Sequence, residues 1–110
     1  MPVVRVPADR IVDWATFHGV FAETLGFPDF YGRNMNAWID CLTYRDAPGD
    51  GMANVNVEPD DVLAMVVDCA AAFRVRCPEQ YAALVQCAAF VNWRRLEARL
   101  RPYLVLAFDS

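Results

Sequence analysis

The sequence predicts an α/β fold: a small three-stranded parallel sheet packed with helices, in the order β-α-α-β-α-α-β. Three observations predict it. Valine-rich or unbroken apolar runs occur three times, in VVRV near the start, LAMVV at 63–67 and YLVLAF at 103–108. Between them, apolar residues recur every three to four positions, the helical period. Each strand is therefore separated from the next by helices, and such crossovers give parallel, right-handed connections. The 110 residues suit a single domain, 1–110, and a 56% apolar content supplies a core.

Taken in order, Val3, Val4 and Val6 form a β-branched strand at about 2–6, closed by Pro7 and Asp9. Asp13 is an N-cap for a helix at about 14–25, whose Trp14, Phe17, Phe21 and Leu25 share one face. Gly26 suits the left-handed position after it, and Pro28 ends it. A loop at about 27–33 leads to a second helix at about 34–45, capped by Asn34. Residues 46–61 hold two Pro, two Gly and many acids and read as a loop, with a short strand at Val55–Val57. LAMVV reads as a strand covered on both faces, and Asp68 as the cap of a short helix at 69–76. Pro78 opens a helix running to about Arg99, with Tyr81, Leu84, Ala88, Val91 and Arg95 in helical spacing. YLVLAF reads as a last, buried strand.

Net charge is −4, and all ten basic residues are Arg. An acidic total argues against direct nucleic-acid binding. The longest apolar runs are too short to span a bilayer, and MPVVRVPADR lacks the apolar stretch of a signal peptide, so a cytoplasmic location is expected. Charge is uneven: residues 1–68 carry −7 and residues 69–110 carry +3. The acidic part suits either a solvated surface or a face that draws a cationic partner. Cys41, Cys69, Cys77 and Cys87 form no C-x-x-C pair and read as free thiols, three of them in apolar surroundings.

The segment FYGRNMNAWIDCLT (30–43) carries the most information. At about 100° per residue, Met35, Trp38, Cys41 and Leu42 share one apolar arc. Asn36, Asp40 and Thr43 fall opposite, flanked by Ile39, so the Asp40 carboxylate is expected to face water. It lies mid-helix, where the macrodipole does not explain it, and Phe30, Tyr31 and Gly32 lead into the same face.

The stretch GFPDFYGRNMNAWIDCLT (26–43) resembles the signature of the barstar family, intracellular inhibitors of barnase-type ribonucleases. Pro28, Asp29, Phe30, Tyr31, Gly32, Asn34, Asp40, Cys41 and Leu42 match its pattern at the right spacings, and TFH at 16–18 resembles a position in the first helix. The resemblance implies a three-stranded parallel sheet with helices, no enzymatic activity, no cofactor and no metal. It implies that the second helix and preceding loop plug a ribonuclease active site. Asp40 then takes the family's key carboxylate position, replacing an RNA phosphate against the enzyme's cations. Phe30, Tyr31, Gly32 and Asn34 match the contacting loop, and Asn36, Ile39, Thr43 and Tyr44 match further contact positions. The implied partner is a basic ribonuclease or a related toxin nuclease, blocked stoichiometrically. In the best-known family member the positions of Asn36 and Ile39 hold an Asp and a Trp, and a later acidic contact aligns near Asn92. These departures favour an alternative: a barstar-fold interaction module whose partner is not a ribonuclease.

Other residues point less far. His18, the only His, lies at the edge of a buried face with no triad or metal partners and reads as structural, a ring nitrogen bonded to backbone. Asp60 and Asp61 are neighbours that a strand would send to opposite faces, and read as a solvated loop end. Trp93, Arg94, Arg95, Arg99 and Arg101 complement a helix C-terminus. A thiol enzyme using Cys41 or Cys69 needs a cationic, partly exposed setting, which the apolar arc denies Cys41.

Overall fold

A computed structural model describes residues 2–43 and 62–110. Its strands are β1 (Val3–Val6), β2 (Leu63–Asp68) and β3 (Leu104–Asp109). Its helices are α1 (Trp14–Leu25), α2 (Met35–Thr43), α3 (Ala70–Arg76) and α4 (Pro78–Glu97). The sheet is parallel throughout, in the order β1-β2-β3. This is the α/β, three-stranded architecture read from the sequence. The Val55–Val57 strand, Tyr44, Asp60 and Asp61 lie outside the described residues.

Local chemistry accounts for the helix ends. At α1, Asp13 Oδ1 accepts from the Thr16 amide at 2.8 Å, and Thr16 Oγ1 accepts from the Asp13 amide at 3.0 Å. This reciprocal box satisfies two amides that the first turn leaves unpaired. The Thr16 amide and then its hydroxyl, both donating to Asp13 Oδ1, hold that carboxyl below its ordinary pKa. Gly26 ends the helix at φ 67°, where a side chain is disfavoured. Asn34 Oδ1 accepts from the Ala37 amide at 2.8 Å and so caps α2.

Register sorts the strand residues into two sets. Val4, Val6, Met65, Val67 and Leu104 belong to the core, with Trp38, Phe17, Phe21, Leu42, Leu84 and Val91 from the helices. Val3, Arg5, Val105 and Ala107 alternate with them and are exposed. On that second face Arg5 donates to Asp68 and Asp109, which gathers the ends of all three strands. β2 is nearly buried throughout, as its position in the middle of the sheet requires.

Two expectations need correction, and one turn is added. β3 is not a buried strand: it is an edge, and only Leu104 in it is fully buried. An unbroken apolar run suggests cover on both faces, but Val105 and Ala107, on the face opposite the core residue Leu104, are exposed. Asp68 does not cap α3. Cys69 stands at that position with φ 55° and makes no side-chain capping bond, and Asp68 is bonded to Arg5 instead. The segment after β1 also holds a 3₁₀ turn, Ala8–Arg10, that periodicity did not reveal.

Candidate functional site

The loop before α2 sets two neighbouring aromatics in opposite directions. Phe30 is 71% exposed, whereas Tyr31 is buried. The Tyr31 hydroxyl lies 2.6 Å from His18 Nδ1. The imidazole tautomer sets which of the two donates. The contact is to a side chain rather than to backbone, which corrects the expectation for His18. Burial, and next the charge of Arg33, lower the His18 pKa from its usual 6.5. Burial pushes the Tyr31 hydroxyl pKa well up. Both shifts keep the pair neutral and hydrogen-bonded. Trp14 stacks on His18 at 5.9 Å between centroids, and with Arg33, Asn34 and Met35 the two line a hollow of about 290 Å³ beside the start of α2. Arg33 enters α2 with φ 54°, an uncommon backbone state for a residue with a side chain.

Along α2 the exposure changes with position. Gly32, Asn34 and Asn36 are exposed, and Met35 and Ala37 are half-buried. From Trp38 onward every residue except Asp40 is buried. Ile39 and Thr43, assigned to the polar flank, are 8% and 1% exposed. An isolated helical wheel gives α2 one covered side, whereas in the structure α4 packs along the helix and Ile39 and Thr43 are enclosed. Trp38 Nε1 and Thr43 Oγ1 are buried there without a hydrogen-bond partner among the described residues. Of the sequence-assigned contacts, then, Phe30, Gly32, Asn34, Asn36 and Asp40 reach the surface, and Tyr31, Ile39 and Thr43 lie beneath it.

α4 also reaches into the end of α2. Arg95, 2% exposed, donates from Nη1 to the Thr43 carbonyl at 3.1 Å and from Nε to the Arg101 carbonyl at 2.8 Å. Its guanidinium lies 4.6 Å from the centre of the Tyr103 ring, whose hydroxyl donates to the Leu42 carbonyl at 2.6 Å. Arg95 and Tyr103 thus serve carbonyls that the last turn of a helix leaves unpaired. The sequence signal was the place of Arg95 in the apolar spacing of α4. Asn92 bonds the backbone of Tyr103 and Leu104 on both its amide atoms, so it holds the start of β3.

Asp40 does not stand alone. Its Oδ1 accepts from Arg94 Nη1 at 2.7 Å, with 48% of the Asp40 side chain and 28% of the Arg94 side chain exposed. The expectation of a carboxylate facing only water is corrected to a half-exposed ion pair. No pattern within α2 foretells it, since Arg94 arrives from 54 residues away. Among the described residues, Asp29 is exposed on the loop that leads to this face, and other acids of the first 68 residues are engaged elsewhere. Asp13 caps α1, Glu23 meets Arg10 at 3.2 Å and Asp68 meets Arg5. Asp46, Asp50, Glu58, Asp60 and Asp61 lie outside the described residues. Burial first, and then the charge of Asp40, push the Cys41 thiol up to about 11, so it stays protonated near neutrality.

Among the described residues, no group of His, Cys, Asp or Glu is arranged to hold a metal ion, and no helix is long and apolar enough to cross a membrane. The family model described as Barstar (barnase inhibitor) matches residues 1–106. No curated protein matches the chain. The match spans nearly all of the sequence, and the chain belongs to the barstar family.

Proposed function

We propose that this chain is a stoichiometric, non-enzymatic inhibitor of a ribonuclease or related toxin nuclease, acting in the cytoplasm. It meets the enzyme through Phe30, Gly32, Asn34, Asn36 and Asp40, and the Asp40 carboxylate takes the place of an RNA phosphate. Membership of an inhibitor family supports this reading, and one observation carries it: the only carboxylate of α2 is half-exposed, on the helix that follows an open aromatic loop. A carboxylate has about four acceptor positions, so a bond to Arg94 at one oxygen leaves room for a cation of the enzyme at the other. A partly exposed ion pair contributes about 0–1 kcal/mol, which a charge-assisted bond across a dry interface exceeds. Tyr31, Ile39 and Thr43 hold this surface from beneath. Tyr44 belongs to the proposal through the family pattern alone.

The test is capture of the chain's nuclease from the native host, followed by RNA cleavage with and without the inhibitor. Asp40→Ala is expected to weaken inhibition by about 1.5–3 kcal/mol, the usual worth of a hydrogen bond to a charged group. Asp9→Ala, on an exposed turn elsewhere, leaves it unchanged. Equal losses for the two variants refute the proposed face. A second reading, an interaction module with a partner that is not a ribonuclease, is favoured by the burial of Ile39, where an interfacial aromatic anchor is absent. Capture of a binding protein that does not cleave RNA selects that reading.

A further inference from the structure

The two edges of the sheet are unlike. β1 has four residues, lies between Pro2 and Pro7, and carries the charge of Arg5. Short length, proline and a basic side chain all keep an edge from pairing with another chain. β3 has six residues with no Pro, Gly or basic residue among them. Its one charge, Asp109, is matched within the chain by Arg5 at 2.7 Å.

Register tells which backbone groups of β3 face outward. The Leu63 N–H donates to the Tyr103 carbonyl at 2.8 Å, and Leu63 stands beside Leu104. In a parallel ladder this gives Tyr103, Val105, Ala107 and Asp109 the bonds to β2, and turns the N–H and C=O of Leu104, Leu106 and Phe108 away from it. The Asn92 side chain takes both groups of Leu104, at 2.9 and 3.1 Å. Those of Leu106 and Phe108 have no partner among the described residues. Two such residues, two positions apart, complement themselves about a two-fold axis. When two β3 strands lie antiparallel, Leu106 of each copy faces Phe108 of the other, and both pairs exchange N–H and C=O bonds. Ala107 then meets its own counterpart on the axis. Leu106, half-buried, and Phe108, 45% exposed, each gain an apolar neighbour across the seam. Because the β1 edge is guarded, the pairing closes at two copies rather than growing.

We propose that the chain pairs with a second copy of itself through antiparallel β3 strands, joining two sheets into one with Ala107 on the two-fold axis. The contact of one strand with another is small, so the association is weak and depends on concentration. It uses none of the residues assigned to the nuclease, and so stands apart from the inhibitor reading.

Sedimentation equilibrium from micromolar to millimolar chain reads the mass. The natural chain is expected to move from one copy to two as concentration rises. Ala107→Lys and Ala107→Glu each set like charges opposite one another on the axis, and each is expected to weaken association by about tenfold or more. An equimolar mixture of the two restores it, because opposite charges then meet. Residue 107 is exposed, so both variants are expected to fold, and thermal melting checks that they do. Cross-linking reads the register. With the exposed thiol removed by Cys69→Ala, Ala107→Cys is expected to form a disulfide-linked pair on mild oxidation far faster than Val105→Cys. Opposed Cα atoms about 4.5 Å apart on the axis suit a disulfide, whereas Val105 faces Asp109 of the other copy. A single-copy mass at every concentration overturns the proposal. So does association that the folded charge variants leave unchanged, which puts the contact on another surface. Growth beyond two copies, or equal cross-linking at 105 and 107, overturns it as well.

Discussion

The two ends of α2 are built for opposite purposes. Its start is open: Asn34 caps it, Asn36 is exposed, and Phe30 stands 71% exposed on the loop before it. Its end is enclosed, with Trp38, Ile39, Cys41, Leu42 and Thr43 all buried and two carbonyls served by Arg95 and Tyr103. Asp40 sits where the two regimes meet, half-exposed and tied to α4 through Arg94. The difference teaches that a short helix can present a surface only if something else holds it still. Nine residues make a marginal helix on their own. Here the rigidity comes from tertiary contacts at one end, and the free surface is at the other.

Changes at the enclosed end are therefore expected to act on stability, and changes at the open end on binding. The largest effect is expected for Trp38→Ala, which empties the biggest fully buried side chain among the described residues and costs about 3–5 kcal/mol by urea denaturation. Next is Arg95→Leu, which leaves the Thr43 and Arg101 carbonyls without their guanidinium and costs about 2–4 kcal/mol by the same measurement. Asn34→Ala removes only a cap and costs about 1 kcal/mol. A loss for Asn34→Ala equal to that for Arg95→Leu breaks the comparison, because the start of α2 then carries as much of the fold as its end.

The smallest effect is a pH dependence at the His18–Tyr31 pair beneath the loop. The folded state lowers the His18 pKa below 6.5, through burial and next through Arg33. Between that depressed value and about 6.5 the unfolded chain binds more protons than the folded one. The pair's contribution is thus complete above pH 6.5 and is lost as pH falls through the folded value. Trp14, Phe17, Tyr31 and Arg33 face this imidazole, and no carboxylate among the described residues is bonded to it. Urea midpoints between pH 5 and 7.5 are expected to decline toward acid in the natural chain and to flatten in His18→Gln. A decline of the same steepness in the variant removes His18 as its source.

Much of the fold was legible because each helix carries its own boundary chemistry. Asp13 and Gly26 bracket α1, Asn34 opens α2 and Pro78 opens α4, all by local rules. The period of α4 even places Arg95 among Leu84, Ala88 and Val91, although only the structure explains a buried guanidinium there. What stayed hidden depends on which elements become neighbours. Ile39 and Thr43 look outward on an isolated helical wheel, and are interior once the other elements pack around α2. Asp40 looks solitary for the same reason. The run in β3 looks buried because composition does not say which strand is last in a sheet. Tyr31 and Phe30 are adjacent aromatics with nothing in their order to show that one turns in to His18 and the other out.

The left-handed junction at Cys69 also has a practical side. Cys77 is buried, Cys41 is buried and held protonated, and burial raises the Cys87 thiol, whereas Cys69 is exposed between β2 and α3. A maleimide dye consequently has one preferred point of attachment without any engineering. That point lies on neither the loop nor α2, so a fluorophore there can report docking of an enzyme while leaving the docking surface unmodified.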